Sequence, residues 1–431
     1  YNDYLFLNVA ARKDWSSTLE SANNSIAYPS ASLSFVVTDA VEGLKSNAIN
    51  YLKTRIGYGT SAGFASPYNT RNTLSLSARS FVDADGNVLS TNTTSNFLGN
   101  ADLKPELVSE LEFGIDTKLF NRVGLNVSVF KRVTEDLITY KDLDPSTGYT
   151  RTILNGGSLE AQGIEVDLNV DVLRTDDFNW NSSITFYKDK QTITKLPDGV
   201  DILFLNSGRN AAIEGQPYGA LIGTKIQTDD AGNRIVGADG NYLVTAENDL
   251  VIGNPNPEFT STFNNTISYK GFRLSVAMNF RKGGDIYSLT TATLLNRGLV
   301  DFPLSRYGTY VLPGVTATGE TNTTQINATN VAFDNWLYGA NEFRVYDGTT
   351  IRLSNVSLSY SVPQDYLSKT PFKSISFTAS GSNLWYKAIN FPDEINYDTN
   401  SLSSGVGNSL GVDRLTGPSS KKYGLSVKLS F

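Results

Sequence analysis

The chain ends on "YGLSVKLSF", in which Tyr423, Leu425, Val427, Leu429 and Phe431 alternate with Gly424, Ser426, Lys428 and Ser430. A period of two puts successive side chains on opposite faces of an extended strand. The pattern recurs along the chain. Phe272, Leu274, Val276, Met278 and Phe280 alternate with Arg273, Ser275 and Asn279. Ile164, Val166, Leu168, Val170 and Val172 oppose Glu165, Asp167, Asn169 and Asp171. Leu111, Phe113, Ile115 and Leu119 oppose Glu110, Glu112, Asp116 and Lys118, and Phe259, Phe263, Ile267 and Tyr269 oppose Thr260, Thr262, Asn264, Thr266 and Ser268. Twelve strands are expected, near 2–13, 28–37, 50–60, 107–120, 122–136, 160–173, 177–189, 258–269, 271–283, 350–362, 372–385 and 422–431. Helical signal is confined to Thr38–Ala48, with Thr38 as its N-cap.

The connections alternate in length. Short ones fall at 120–123, 173–178, 269–272 and 362–372; long ones run about 61–106, 137–159, 190–257, 284–349 and 386–421. Counted back from the C-terminus, every long connection lies on one side. A soluble sandwich or solenoid, the alternative for such alternation, gives no reason for that asymmetry. A transmembrane β-barrel does: tight periplasmic turns at one rim, long extracellular loops at the other, an apolar face to lipid and a polar face to a water-filled lumen. Phe120, Phe130, Trp180, Tyr269, Phe272, Phe280, Tyr360 and Trp385 sit near strand ends, as an interfacial aromatic girdle requires. The expected fold is all-β, an antiparallel transmembrane barrel. A last strand closed by an aromatic ring then reads as the signal for outer-membrane insertion, carried by Tyr423, Leu425, Val427, Leu429 and Phe431.

Composition narrows the chemistry. With no Cys and no His, disulfides, thiol catalysis and His-based dyads or triads are closed off. A net charge of −7 argues against a nucleic-acid partner. The mean hydropathy of −0.22 averages over two unlike faces. No run of about 18 apolar residues marks a membrane helix. The chain opens on Tyr1 and is at once strand-like ("YLFLNVAARKD"), so we expect residues 1–431 to be the C-terminal part of a longer protein, without a signal peptide of their own. Nothing marks an enzyme: "SGRN", "KGGD" and "GYGTSAG" lack the strand–loop–helix setting of a nucleotide site, and carboxylate pairs at glycosidase spacing arise too easily in such a chain to carry weight.

Five ordered stretches resemble the SusC/RagA class of TonB-dependent outer-membrane transporters: "LGNADLKPELVSELEFGID" (98–116), "EGQPYGALIG" (214–223), "VIGNPNPEFTSTFNNTISYKGFRLSVAMNFRKGGDIY" (251–287), "IRLSNVSLSYSVP" (351–363) and "FTASGSNLW" (377–385). The resemblance implies the last twelve strands of a 22-stranded barrel, with the plug and the TonB-contacting segment upstream. It implies import of an oligosaccharide or oligopeptide, captured beneath a SusD-like surface lipoprotein and driven by TonB. A siderophore-type receptor, or a barrel recruited as a non-transporting component of a surface complex, is the alternative.

Within that reading the long loops are where substrate and lid would touch. Tyr68, Phe204, Tyr218, Tyr307, Trp336, Tyr338 and Tyr397 are the candidate contacts, through stacking on sugar faces or on the lid; packing within the loops is the competing role. No cofactor or catalytic residue is expected. "DADGN" (83–87) and "GADGN" (237–241) resemble fragments of a calcium loop without its full spacing, and Asp229, Asp230, Asp239, Glu247 and Asp249 keep a degraded form of an acid-rich stretch that many members of the class carry. Glu110, Glu112, Asp116, Glu165, Asp167 and Asp171 are expected on the lumen wall, facing a plug or partly paired with Lys118 and other bases.

Overall fold

A computed structural model describes residues 1–431 except 77–80, 90–91, 206–207, 301–304, 306 and 404–406. Twelve strands form one antiparallel sheet in chain order: β1 (Leu5–Trp15), β2 (Ser25–Val36), β3 (Ile49–Gly63), β4 (Glu106–Leu119), β5 (Val123–Glu135), β6 (Ser158–Arg174), β7 (Phe178–Lys195), β8 (Pro257–Tyr269), β9 (Phe272–Gly283), β10 (Thr350–Ser361), β11 (Ser374–Ala388) and β12 (Lys422–Ser430). Each is one of the twelve expected from alternation. The sheet is open, with β1 and β12 at its edges.

Register follows the pleat. Across β8 and β9, Tyr269 faces Phe272, Ile267 faces Leu274 and Phe263 faces Met278, all on one face; Ser268–Arg273, Thr266–Ser275 and Thr262–Asn279 lie on the other. A one-residue slip would exchange the two faces, so the apolar pattern fixes the register. Across β6 and β7 the pairing shifts between Asp171 and Leu173, so Leu173, opposite Trp180, continues the apolar face beyond the expected Val172.

The distribution of apolar surface is the reverse of a water-soluble protein's. Strand residues on the apolar face stand open: Leu7 is 71% exposed and Leu425 is 89% exposed. The buried apolar clusters lie in the loops instead, around Leu19, Ala65, Leu103 and Ile153, around Ile226, Val236, Tyr242 and Val331, and around Ile286, Ala388, Phe391 and Tyr397. Only a lipid solvent makes such an outer face favourable, and pairing between neighbouring strands satisfies the backbone within the sheet. No helix among the described residues is long and apolar enough to cross a membrane. Aromatic pairs mark the short-turn rim, with Phe272 and Tyr360 ring centroids 4.5 Å apart and Phe372 and Phe431 4.9 Å apart.

The helix expected over Thr38–Ala48 is reduced to one turn, Val37–Ala40, and Thr38 does not cap it. Its hydroxyl accepts from the Leu52 N–H at 3.3 Å, tying the turn to β3. Too few residues separate β2 from β3 for helix growth to offset its nucleation cost. A helix the sequence reading lacked lies in a long loop, at Leu289–Arg297: Ser288 Oγ accepts from the Thr291 N–H at 3.1 Å, and Gly298 ends it in the left-handed region at φ 63°.

Candidate functional site

The polar face of β1–β7 forms a concave wall, with a trough of about 740 Å³ lined by Ser30, Ser32, Glu110, Glu112, Arg132 and Gln191 among others. The alternation that exposes leucines on one side sets charges opposite one another on this side. Arg55 on β3 reaches Glu112 and donates to Ser128 Oγ at 2.5 Å. Asp116 is bridged by Lys53 at 3.2 Å, with Arg55 Nε 3.7 Å from its other oxygen. Arg132 holds Glu110 at 2.6 Å. Gly114 leaves room for the Arg55 guanidinium, which a Cβ there would meet at 2.6 Å. The bases that pair these acids are therefore Lys53, Arg55 and Arg132; Lys118 makes no ion pair among the described residues. Asp171 accepts from Asn181 Nδ2 at 2.9 Å, whereas Glu165 and Asp167 line a small polar hollow with Tyr187 and Thr262.

Above the wall the long loops pack on one another. The two ends of the stretch 251–287 meet: Asp285 Oδ2 accepts the Asn254 N–H at 2.8 Å, and Asn254 Oδ1 accepts the Asn256 N–H at 3.1 Å. Burial raises the Asp285 carboxyl above its ordinary range, against that backbone hydrogen bond. Gly411 packs where a Cβ would lie 2.6 Å from Pro255, bringing in the last loop. Asn210 Nδ2 donates to the Gly219 and Leu410 carbonyls at 2.8 and 2.9 Å, joining two long loops. Arg352, at the loop end of β10, is buried against Asp398, which also accepts the Ser419 N–H at 3.0 Å.

The acid turns are closed on themselves. Asp83 Oδ1 accepts from the Asp85 and Asn87 N–H groups at 3.0 and 2.8 Å, and Oδ2 from Asn87 Nδ2 at 3.0 Å. Asp229 repeats this with Ala231 and Asn233, and Asp239 with Asn241. The Asn side chains, then the backbone N–H groups, hold all three carboxyls below the ordinary range. No group of three or more acid side chains is gathered for a metal among the described residues.

The candidate aromatics divide by environment. Tyr397 is buried, stacked on Phe391 at 5.0 Å with its hydroxyl donating to the Ser401 carbonyl. Burial also pushes the neighbouring Tyr346 hydroxyl up to about 12. Trp336 packs on the Ile226–Val331 cluster, and Tyr218 on the cluster around Ile193 and Leu203. Tyr68, Tyr307 and Tyr338 are exposed, the Tyr338 ring lying tilted against Phe333 at 4.5 Å. Phe204 is held out between buried Leu203 and Leu205. It lines an open cleft of about 520 Å³ whose opposite side is Tyr140, Lys141, Asp142 and Arg151. Arg151 lies over the Tyr140 ring at 4.9 Å, so that side is pre-set. Of the seven candidates, only Phe204 enters this cleft. Tyr140 and Arg151 were not picked out from the sequence, although "LITYKD" alternates and forms the short strand Ile138–Asp142; its pairing with Arg151–Asn155 is what makes a cleft wall.

Comparison with known proteins agrees with this architecture. Residues 1–384 match the family described as TonB dependent receptor-like, β-barrel. The chain is 28% identical to TonB-dependent receptor P3 of Formosa agariphila, over 99% of this chain and 44% of that protein. It is 22% identical to TonB-dependent receptor SusC of Bacteroides thetaiotaomicron, over 84% of this chain and 36% of that protein. In fold it is similar to the RagAB peptide transporter structure, with a TM-score of 0.73 and 19% identity over 100% of this chain and 46% of that chain. The chain thus spans less than half the length of the relatives it matches. With lipid-facing strands, a polar inner wall and a family match over most of its length, this chain belongs to the TonB-dependent receptor β-barrels of the outer membrane.

Proposed function

We propose that the complete protein imports an oligomeric nutrient, an oligosaccharide or oligopeptide, across the outer membrane, with residues 1–431 as the C-terminal portion of its barrel. A SusD-like lipoprotein closes over the long loops, and TonB supplies the energy through a plug and coupling segment upstream. This reading needs no cofactor and no catalytic residue in this part of the chain. One observation carries it: an open, pre-set aromatic and charged cleft, built from Tyr140, Arg151 and Phe204, at the loop rim of a polar wall. Apolar ring faces with a few fixed polar groups suit a chain of sugars or amino acids. Uptake of labelled peptide and glycan mixtures by cells expressing the full-length protein is the test. Uptake should need TonB, and Phe204→Ala with Tyr140→Ala should raise the half-saturating concentration about thirtyfold, as expected for two lost aromatic contacts of ~1 kcal/mol each. Uptake indifferent to TonB would overturn the transport reading, and unchanged saturation in the double variant would overturn the assignment of the cleft.

A further inference from the structure

The lipid-facing surface of β5–β7 carries a group of charges that the import reading does not use. At the loop ends of these strands Lys131 faces Gln162, and Gln162 faces Lys190, in one row across three strands. Lys188 lies two residues below Lys190 on the same face, opposite Ile164. All belong to the alternating set that includes Val127, Val129, Ile164, Val166 and Phe186, and so point away from the lumen. Lys131 pairs with Glu160 at 2.9 Å, and Gln162 donates to the same carboxylate at 2.7 Å. Lys188 and Lys190 are exposed and make no ion pair among the described residues. Three lysines against one glutamate leave a net positive patch on the membrane side of the wall.

Its height is informative. From Phe178, in the short-turn aromatic row, to Lys188 is ten residues of continuous strand. At ~3.3 Å per residue and a tilt of about 35–45°, that is about 25 Å along the bilayer normal, the height of the apolar band of such barrels. Lys188 and Lys190 therefore stand where the hydrocarbon ends and headgroups begin on the long-loop side. At the other end of the same strands the outward positions are Val123, Val170, Leu173, Phe178 and Trp180. The positive charge is confined to one leaflet. Lys188 and Lys190 are ~7 Å apart, and Lys131 is about 10 Å from Lys190 across two strand spacings, a span over which one phosphate-bearing headgroup can be engaged from several sides.

We infer that Lys131, Lys188 and Lys190 form a binding site for the phosphate groups of an anionic lipid in the outer leaflet, whose acyl chains lie on Val129, Ile164 and Phe186. The occupant is a lipid rather than a soluble anion because the site opens on the bilayer-facing surface, directly above an apolar row. A lysine near an anionic membrane surface contributes about a fivefold gain in affinity.

The test is native mass spectrometry of the full-length protein in a zwitterionic detergent, titrated with a bis-phosphorylated glycolipid. The wild type should retain the lipid, and the triple variant Lys131→Gln, Lys188→Gln, Lys190→Gln should lose about tenfold or more in affinity. Replacing the three by Arg, or changing the lumen-facing Lys118→Gln, should leave binding in place. Equal retention by the Gln variant overturns the site, and displacement by inorganic phosphate overturns the lipid as occupant. Should the triple variant fail to fold, the wild type decides: retention must fall between low and ~1 M salt, where charges are screened over about 3 Å, and a salt-independent complex contradicts the proposal.

Discussion

Asn265 shows how a polar side chain is accommodated on the outer face. It sits on the lipid side of β8, opposite Ser182 and Val276, where an amide has no water to bond. Its Oδ1 accepts the Trp180 indole N–H at 2.9 Å, one strand away. Trp180→Phe should therefore cost about 1–3 kcal/mol by leaving that oxygen unpaired, and adding Asn265→Leu should recover most of the loss. Reversible urea unfolding of the full-length barrel in lipid reads both. A double variant no better than the single one would contradict the pairing. The neighbouring strand provides a second comparison. Val276 points to lipid about four residues in from the Phe272 ring, and Ser275 points to the lumen within reach of Thr266. Val276→Arg should cost about 2–4 kcal/mol and Ser275→Arg close to nothing; equal costs would mean that the faces are misassigned.

At the scale of elements, strands and loops differ in how their sequence can be read. Lipid on one side and water on the other impose alternation over some ten residues, so β8 and β9 are legible from "FTSTFNNTISYKGFRLSVAMNF" alone. The loops have no such local constraint. Tyr397 and Tyr307 look alike in sequence; only the approach of Phe391 and Ile286 buries the first, while the second stays open. The helix at Leu289–Arg297 is likewise stabilised from outside its own sequence, since Ser288 donates to Asp413 of the last loop at 2.8 Å. The Phe204 cleft arises from two loops brought together, and neither spells it out. Arg352 and Asp398 tie β10 to the last loop. Burial opposes ionisation of Asp398, but bonds from Ser419 and then Arg352 outweigh it, and its carboxyl lies below the ordinary 3.8. The stability it contributes is then fully present above about pH 4 and is lost as the pH falls through the lowered folded-state value. Asp398→Asn should cost about 3–5 kcal/mol locally, because it leaves the buried guanidinium without its counter-charge. Faster amide exchange across 410–420 in the variant checks this. Unchanged exchange would mean that the loop is held by its apolar contacts alone.

At the scale of the whole molecule, the chain divides into a wall and a superstructure. The wall turns its apolar rows outward and the ion pairs of Lys53, Arg55 and Arg132 inward; the long loops, on one rim, build their own small cores. Both follow from placing the chain in a bilayer with the long loops facing outward. Because the sequence contains no Cys, single thiols report that placement cleanly. The most direct measurement is labelling with a membrane-impermeant maleimide on intact cells, using full-length protein otherwise free of Cys and carrying either Tyr307→Cys in a long loop or Asp176→Cys in the turn between β6 and β7. Tyr307→Cys should label on intact cells, and Asp176→Cys only after the outer membrane is opened. Labelling of both, or of Asp176→Cys alone, on intact cells would contradict the barrel placement on which the account rests.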